Sequence, residues 1–328
     1  MMDGSGFRGT GLQSLELCAG AGGQALGLER AGFDHLALVE IEKACRATLM
    51  HNRPNWTVLE GDQADLTHFD ATPYRGVPLL AGGLPCPPFS KAGRQLGASD
   101  ERNLFPAFLR IVDEARPDAI LVENVRGFLD RAFDGFRSDF AKAMTALGYT
   151  VGWRLFSAAE FGVSQLRPRV AIVGFRTGTG DAFDWPEPRK APAPSVGAVL
   201  HDLMAENGWH GADDWRAQAR GIAPTIVGGS LKHGGPDLGP TRARQAWAKL
   251  GVDGRGVANA PPDRDFVGMP RLTVPMVARI QGFPDDWVFT GRKTPAYRQV
   301  GNAFPPPVAE ALGRVIAKAL VKKSVFAG

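Results

Sequence analysis

The chain has 328 residues, of which 44% are hydrophobic and 22% charged, the ordinary balance of a folded globular protein. Its formal charge is +4, basic enough to suit a nucleic acid without establishing one. The three cysteines, Cys18, Cys45 and Cys86, are too far apart for a disulfide framework or a zinc site. The N-terminus lacks an apolar segment behind a basic start, and no apolar run approaches 18 residues, so neither a secretory signal nor a membrane span is expected.

Residues 12–176 alternate short apolar runs with amphipathic stretches. Strands are predicted at 12–17, 35–40, 56–59, 77–81, 119–123, 150–156 and 169–175. Helices are predicted at 23–31, 43–52, 104–115 and 136–147. This alternation predicts an α/β fold with a doubly wound, mostly parallel sheet. The last two strands lie close in sequence, which suits an antiparallel pair at one edge. Residues 177–194 are rich in Gly, Pro and Asp and read as a linker. Residues 195–270 lack clean periodicity and predict a smaller irregular domain. Helical spacing returns after Thr273, and 308–321 is a clear amphipathic helix.

Four motifs carry chemistry. The first is Leu15-Glu16-Leu17-Cys18-Ala19-Gly20-Ala21-Gly22-Gly23, a strand running into a glycine turn and a helix. Glycines let backbone pass close to a ligand, and a helix N-terminus is electropositive. The spacing is not that of a dinucleotide fingerprint. Glu40, at the next strand end, can grip ribose hydroxyls, and Asp62 follows the third strand. Three acids at successive strand ends favour a cofactor such as S-adenosyl-L-methionine, against the ordinary alternative of a tight turn with solvated carboxylates.

The second motif is Gly82-Gly83-Leu84-Pro85-Cys86-Pro87-Pro88-Phe89-Ser90, after the apolar run 77–81. Prolines on both sides of Cys86 exclude a helix interior, and the thiol is placed like a nucleophile at a strand end. A buried, inert cysteine is the alternative. The loop continues through Arg94, Gln95 and Arg102. The run 119–122 ends in Glu123-Asn124-Val125. If the two runs are neighbouring parallel strands, a thiol and a carboxylate face one crevice beyond the carboxyl ends. The third motif is Gln165-Leu166-Arg167-Pro168-Arg169. Arginines two apart in an extended chain point the same way and could hold a phosphate or a base carbonyl. The fourth, Gly301-Asn302-Ala303-Phe304-Pro305-Pro306, opens the last helix.

In this order, Pro-Cys, Glu-Asn-Val and Gln-x-Arg-x-Arg between a glycine loop and Gly-Asn-Ala, the chain resembles the DNA (cytosine-5) methyltransferase family over about residues 12–324. Arg271-Leu272-Thr273 with Gln281-Gly282-Phe283-Pro284 is similar to the family's penultimate motif. The resemblance implies a catalytic S-adenosyl-L-methionine-binding domain at 10–176 plus 295–324, a target-recognition domain at 177–270 and a connecting segment at 271–294. By position, Cys86 resembles the nucleophile and Glu123 the group that contacts cytosine N3. Arg167 and Arg169 resemble substrate-binding arginines. Glu16, Cys18, Ala19, Gly20, Gly22, Gly23, Glu40, Ile41, Asp62, Asn302 and Ala303 match cofactor-contact positions. The family usually has Phe where Cys18 stands and an aromatic where Ile41 stands, so adenine stacking should be weaker here.

The implied substrate is a cytosine in double-stranded DNA. Ser90, Arg94, Gln95 and Arg102 of the Cys86 loop are expected at the DNA. Between 216 and 262 seven basic residues stand against two acids, and Lys232, Arg242 and Arg244 are the expected contacts there. A turn after Pro240-Thr241 could present both arginines to a groove, and a helix start fits equally. The implied setting is a monomeric bacterial modification enzyme of the cytoplasm, at the nucleoid, paired in function with a cognate restriction endonuclease. An RNA (tRNA) cytosine-5 methyltransferase and a catalytically silent DNA-binding relative are the alternatives.

Overall fold

The computed structural model describes residues 11–84, 103–228 and 235–326. Cys86, Ser90, Arg94, Gln95, Arg102 and Lys232 lie outside the described residues.

Strand β1 (Leu12–Leu17) leads through the glycine turn into α1 (Gly23–Arg30), then β2 (Phe33–Val39) and α2 (Lys43–Asn52). β3 (Leu79–Gly83), α3 (Phe105–Ala115), β4 (Ala119–Val125), α4 (Asp134–Ala146), β5 (Tyr149–Ser157) and β6 (Pro168–Arg176) follow. The sheet order is β2-β1-β3-β4-β6-β5. The pairs β1–β2, β1–β3 and β3–β4 are parallel, and β6 is antiparallel to both β4 and β5. The expected doubly wound, mostly parallel sheet is present. The expected antiparallel pair is there as well, with β5 at the edge and β6 inside the sheet.

One predicted strand does not form. Residues 56–59 run beside β2, but the contact is a single parallel bridge, Leu38 with Val58. Two backbone hydrogen bonds, Leu38 N–H to Thr57 O at 2.8 Å and Leu59 N–H to Leu38 O at 2.9 Å, are too few for a ladder. Asp62 therefore follows no strand. It sits exposed in a single 3₁₀ turn, Gly61–Ala64.

Apolar residues cover both faces of the sheet. On one, Leu15, Leu80, Ile120 and Ile172 pack with Phe108, Ile111 and Val112 of α3 and Phe140 and Met144 of α4. On the other, Leu79, Ala81, Leu121 and Val173 pack with Leu28 of α1 and with Val308, Leu312 and Ile316 of the last helix.

Residues 195–270 are more regular than the sequence suggested. They contain α5 (Val196–Ala205), α6 (Ala212–Gln218) and α7 (Thr241–Ala248). Ser195 caps α5 by accepting the Ala198 N–H at 3.2 Å. Val196, Leu200 and Met204 are the fully buried positions of that helix. That four-residue spacing behind a serine was readable, but the surrounding Gly, Pro and Trp masked it. Buried Trp209, Trp215 and Trp247 supply the local core. Then come α8 (Val274–Gln281), α9 (Lys293–Asn302) and α10 (Pro306–Phe326). The core of 195–270 continues without a break through Met276, Val277 and Val300 to Leu26 and Leu49.

The α1–α10 crossing is unusually close. A Cβ on Gly27 would lie 2.5 Å from Pro306 O and from Ala309 Cβ, and one on Gly313 2.7 Å from Ala31 Cβ. Gly27→Ala is therefore expected to destabilise the protein by about 1–3 kcal/mol through overpacking. This should hold although alanine raises helix propensity by roughly 1 kcal/mol. Urea denaturation checks it: a midpoint equal to or above wild type would show that the crossing can yield.

Candidate active site

The carboxyl ends of β1, β3 and β4 lie side by side. Leu17 is in register with Gly82, and Gly83 with Glu123. The condition set by the sequence is met: the runs that end in Pro-Cys and in Glu-Asn-Val are adjacent parallel strands. The described chain stops at Leu84, two residues before Cys86. Gly82 is required by the sheet, since a Cβ there would sit 2.8 Å from Leu17 O. Gly83 has ordinary room, with Glu123 Oε2 3.7 Å from where its Cβ would be.

Glu123 faces Arg169, and Arg169 Nε lies 2.7 Å from Glu123 Oε1. The antiparallel β4–β6 register creates this contact by setting Val125 opposite Arg169 and Glu123 opposite Ala171. The two side chains are 12% and 15% exposed, so the pair is held mostly out of water yet can be reached. Burial raises the Glu123 carboxyl above the usual carboxylate range, and the Arg169 and Arg167 charges oppose that rise.

Arg167 has a different setting from the one its spacing suggested. It is fully buried and precedes β6. It donates to Ile226 O at 2.6 Å, Gly301 O at 2.8 Å and Ala303 O at 2.9 Å. The two arginines thus serve different partners, because only Arg169 is in the β6 ladder. Gln165 and Gln281 complete the same buried knot. Gln165 donates to Gln281 Oε1 at 2.6 Å and accepts the Ile226 N–H, while Gln281 donates to Ala303 O at 2.6 Å.

The glycine turn is held by protein groups more than its sequence implied. Cys18 is left-handed (φ 49°) and half-buried, and burial pushes its thiol pKa up. Gly20 (φ 55°) has open space where a Cβ would stand. At Gly22 (φ 88°) a Cβ would meet Leu49 and Trp287 at 2.8 Å, and at Gly23 it would strike Phe304 O at 2.2 Å. These two glycines are needed for packing as well as for the turn. Glu40 braces the turn, accepting the Gly20 N–H at 2.6 Å and the Glu42 N–H at 2.7 Å. Ile41 is 62% exposed. Ala19 and Ala303 are buried, and Asn302 is exposed. Trp287 was not singled out by sequence; the only hint was that it follows Gln281-Gly282-Phe283-Pro284 by three residues.

Arg242 and Arg244 lie in the first turn of α7, so the helix start holds and not the turn. Residues two apart on a helix do not share a face. Arg242 is exposed. Arg244 is tied to Gly239 O at 2.8 Å and to Asp237 Oδ2 at 3.0 Å.

Glu16 is fully buried, and neither carboxyl oxygen has a hydrogen-bond partner. Burial raises its pKa from 4.5 to about 8. His35, 4.0 Å away, is pushed down to about 4 by burial, so at neutral pH both groups are neutral and form no ion pair. The His35 Nε2–H points at Ala25 O (3.0 Å), which leaves Nδ1 to accept the Ser14 hydroxyl at 2.7 Å. A raised carboxyl pKa stabilises the fold fully below 4.5 and loses that contribution as pH rises toward 8. Glu16→Gln should remove this slope. Without ligand, the variant should gain on wild type by up to a few kcal/mol between pH 5 and pH 8, as followed by urea midpoints. Parallel pH curves for the two proteins would contradict a neutral Glu16.

The family model of C-5 cytosine-specific DNA methylases matches residues 12–318. The chain is 55% identical over 313 residues to the type II methyltransferase M.NaeI of Lentzea aerocolonigenes, covering 94% of this chain and 75% of that protein. It is 53% identical over 316 residues to the type II methyltransferase M.NgoMIV of Neisseria gonorrhoeae, covering 95% and 99%. A prophage-encoded DNA modification methyltransferase structure from E. coli superposes with a TM-score of 0.67 at 23% identity over 95% of this chain and 99% of that one. With the parallel pairing of β3 and β4, these matches make the chain a member of the C-5 cytosine-specific DNA methylase family.

Proposed function

We propose that the protein transfers a methyl group from S-adenosyl-L-methionine to C5 of a cytosine flipped out of a specific duplex DNA sequence. The reaction passes through a covalent bond between Cys86 and cytosine C6. The observation that supports this reading is the β3–β4 register, in which Gly83, three residues before Cys86, pairs with Glu123, itself 2.7 Å from Arg169.

Cytosine C5 is a poor nucleophile. A thiolate adding to C6 pushes electron density into the ring and makes C5 enamine-like. That density needs a proton or a strong hydrogen bond at N3. A carboxyl whose pKa is raised by burial can supply it, and Glu123 has that property. Arg169 keeps the carboxyl oriented and adds positive charge, which favours ionisation of a nearby thiol. C5 then takes the methyl group, a base removes the C5 proton, and the thiolate leaves to restore the ring. A stacked base cannot reach such a crevice, so the target must be extruded.

S-adenosyl-L-methionine supplies an electrophilic methyl group when bound. The residues at the glycine turn fit such a molecule. Gly20 offers an open cradle and Glu16 a buried carboxyl without a partner, beside Cys18, Ala19, Gly22 and Gly23. Glu40, Ile41, Asp62, Asn302 and Ala303 would complete the contacts. Glu40 acts first on the backbone, since its two oxygens already accept two N–H groups. In this reading Arg167 acts through main chain, holding the segments that carry Ile226 and Ala303 against the site.

Residues 177–270 would read the DNA and 271–294 would connect them to the catalytic part, 10–176 plus 295–324. Lys232 and Arg242 are the proposed contacts there, and Arg244 would shape the α7 start. Ser90, Arg94, Gln95 and Arg102 would meet the DNA from the Cys86 loop. Among the described residues no helix is long and apolar enough to cross a membrane. A monomer working at the bacterial nucleoid in the cytoplasm, with a cognate restriction endonuclease, fits the likeness to type II enzymes.

A duplex carrying 5-fluorocytosine at the target tests the chemistry, because fluorine cannot be lost from C5 as a proton is. Wild type should form a denaturation-resistant adduct and Cys86→Ser none. Adduct retained in Cys86→Ser would move the nucleophile elsewhere. Glu123→Gln should slow single-turnover methylation by about 10²-fold on saturating DNA, as expected for a lost acid or charge-stabilising group. A rate within threefold of wild type would make Glu123 structural.

A further inference from the structure

We infer that Trp287 is a positioning residue for the glycine turn, setting cofactor affinity from the segment that joins the recognition region to α9. The inference rests on the proposed S-adenosyl-L-methionine site at that turn.

Trp287 is 4% exposed and lies outside every motif that carries the chemistry. Its indole N–H donates to Ala21 O at 3.2 Å. Its ring fills the space beside Gly22, where a Cβ would meet ring carbon Cζ2 at 2.8 Å and Cη2 at 3.2 Å. One side chain therefore contacts the turn at two consecutive residues, Ala21 and Gly22. The preceding residue is held separately, since the Glu40 carboxyl accepts the Gly20 N–H at 2.6 Å. Of the three glycines of the turn, Gly22 and Gly23 are packed against protein and Gly20 faces open space.

The ring is itself held in place. The Arg53 guanidinium lies 5.2 Å from its centroid and is anchored on both oxygens of Glu29, with Nε to Oε1 at 2.9 Å and Nη2 to Oε2 at 2.9 Å. Phe283 and Trp56 pack at 6.0 and 6.1 Å. The adjoining chain is tied to α2 by Asn52, which donates to Val288 O and accepts the Val288 N–H, both at 2.8 Å. Gly22 is at φ 88°, a conformation with no side chain of its own to enforce it. A turn of this kind binds tightly when its neighbours preorganise it, because ordering it on binding would reduce affinity.

Trp287→Phe keeps a ring over Gly22 and removes the N–H. It should raise the S-adenosyl-L-methionine Kd by about three- to tenfold, the range for one buried hydrogen bond. DNA affinity and the single-turnover rate at saturating cofactor should stay within twofold. Trp209→Phe is the control. Trp209 is also buried and donates to Phe266 O at 2.8 Å, but it lies in the proposed recognition region. Its loss should leave cofactor Kd within twofold. Titration calorimetry on the full-length variants reads the affinities.

Hydrogen exchange on wild type gives a second measurement that needs no variant: cofactor alone should protect peptides over both 18–23 and 283–289. A Trp287→Phe Kd within twofold of wild type, an equal rise in Trp209→Phe, or protection confined to 18–23 overturns the proposal. If wild type binds no S-adenosyl-L-methionine, the cofactor reading fails first, and that result is distinct from the others.

Discussion

The fold around the site depends on one buried charge. Arg167 has no exposure, and removing a guanidinium from water is expensive unless its donors are met. Its two Nη groups donate to three main-chain carbonyls from two distant segments, Ile226 within residues 195–270 and Gly301 and Ala303 at the end of α9, while its Nε has no partner among the described residues. Gln165 and Gln281 fill the remaining positions of the knot. Because an unpaired buried donor or acceptor costs about 1–3 kcal/mol, these segments cannot separate a little; they dock together or not at all. That constraint brings the C-terminal Gly-Asn-Ala segment back to the sheet.

The same docking joins residues 195–270 tightly to the sheet-bearing part of the chain. Gly228 passes so close to α9 that a Cβ on it would meet Asn302 Oδ1 at 2.3 Å, and a Cβ on Gly301 would meet Gly228 N at 2.4 Å. The apolar core of α5, α6 and α7 runs on into α8, α9 and α1. Asn302, proposed to touch cofactor, and Gly228, within the segment proposed to read DNA, are therefore closely packed. A continuous apolar core, rather than a loose linker, joins residues 195–270 to the sheet-bearing part.

The electrostatics divide along the same lines. Glu16 and His35 are both neutralised by burial at one end of the glycine turn. Glu123 is raised by burial but checked by Arg169. Two carboxyls near the carboxyl ends of β1 and β4 thus have different surroundings. One has no partner among the described groups, and the other has a guanidinium at 2.7 Å. Such a difference in environment is what lets similar groups take different roles.

Much of this was legible in the sequence, because local physics carries it. Apolar runs ending in glycine or proline locate strands within a residue or two, and the order of the motifs names the family. That the runs before Pro-Cys and Glu-Asn-Val could be neighbouring parallel strands was readable as a condition, which the β3–β4 pairing meets. Contacts set by distant residues were not legible. Spacing alone puts Arg167 and Arg169 in one direction, whereas the start of β6 between them sends one to a carboxylate and the other into a buried knot. Glycines that read as room for a ligand prove, at Gly22, Gly23 and Gly82, to be room for Trp287, Phe304 and Leu17. Residues 56–59 have strand composition but only one neighbour to pair with. Sequence determines which groups are available and in what order. Tertiary structure decides which of them protein atoms already occupy, because close packing and the demands of buried polar groups are satisfied only between segments far apart in the chain.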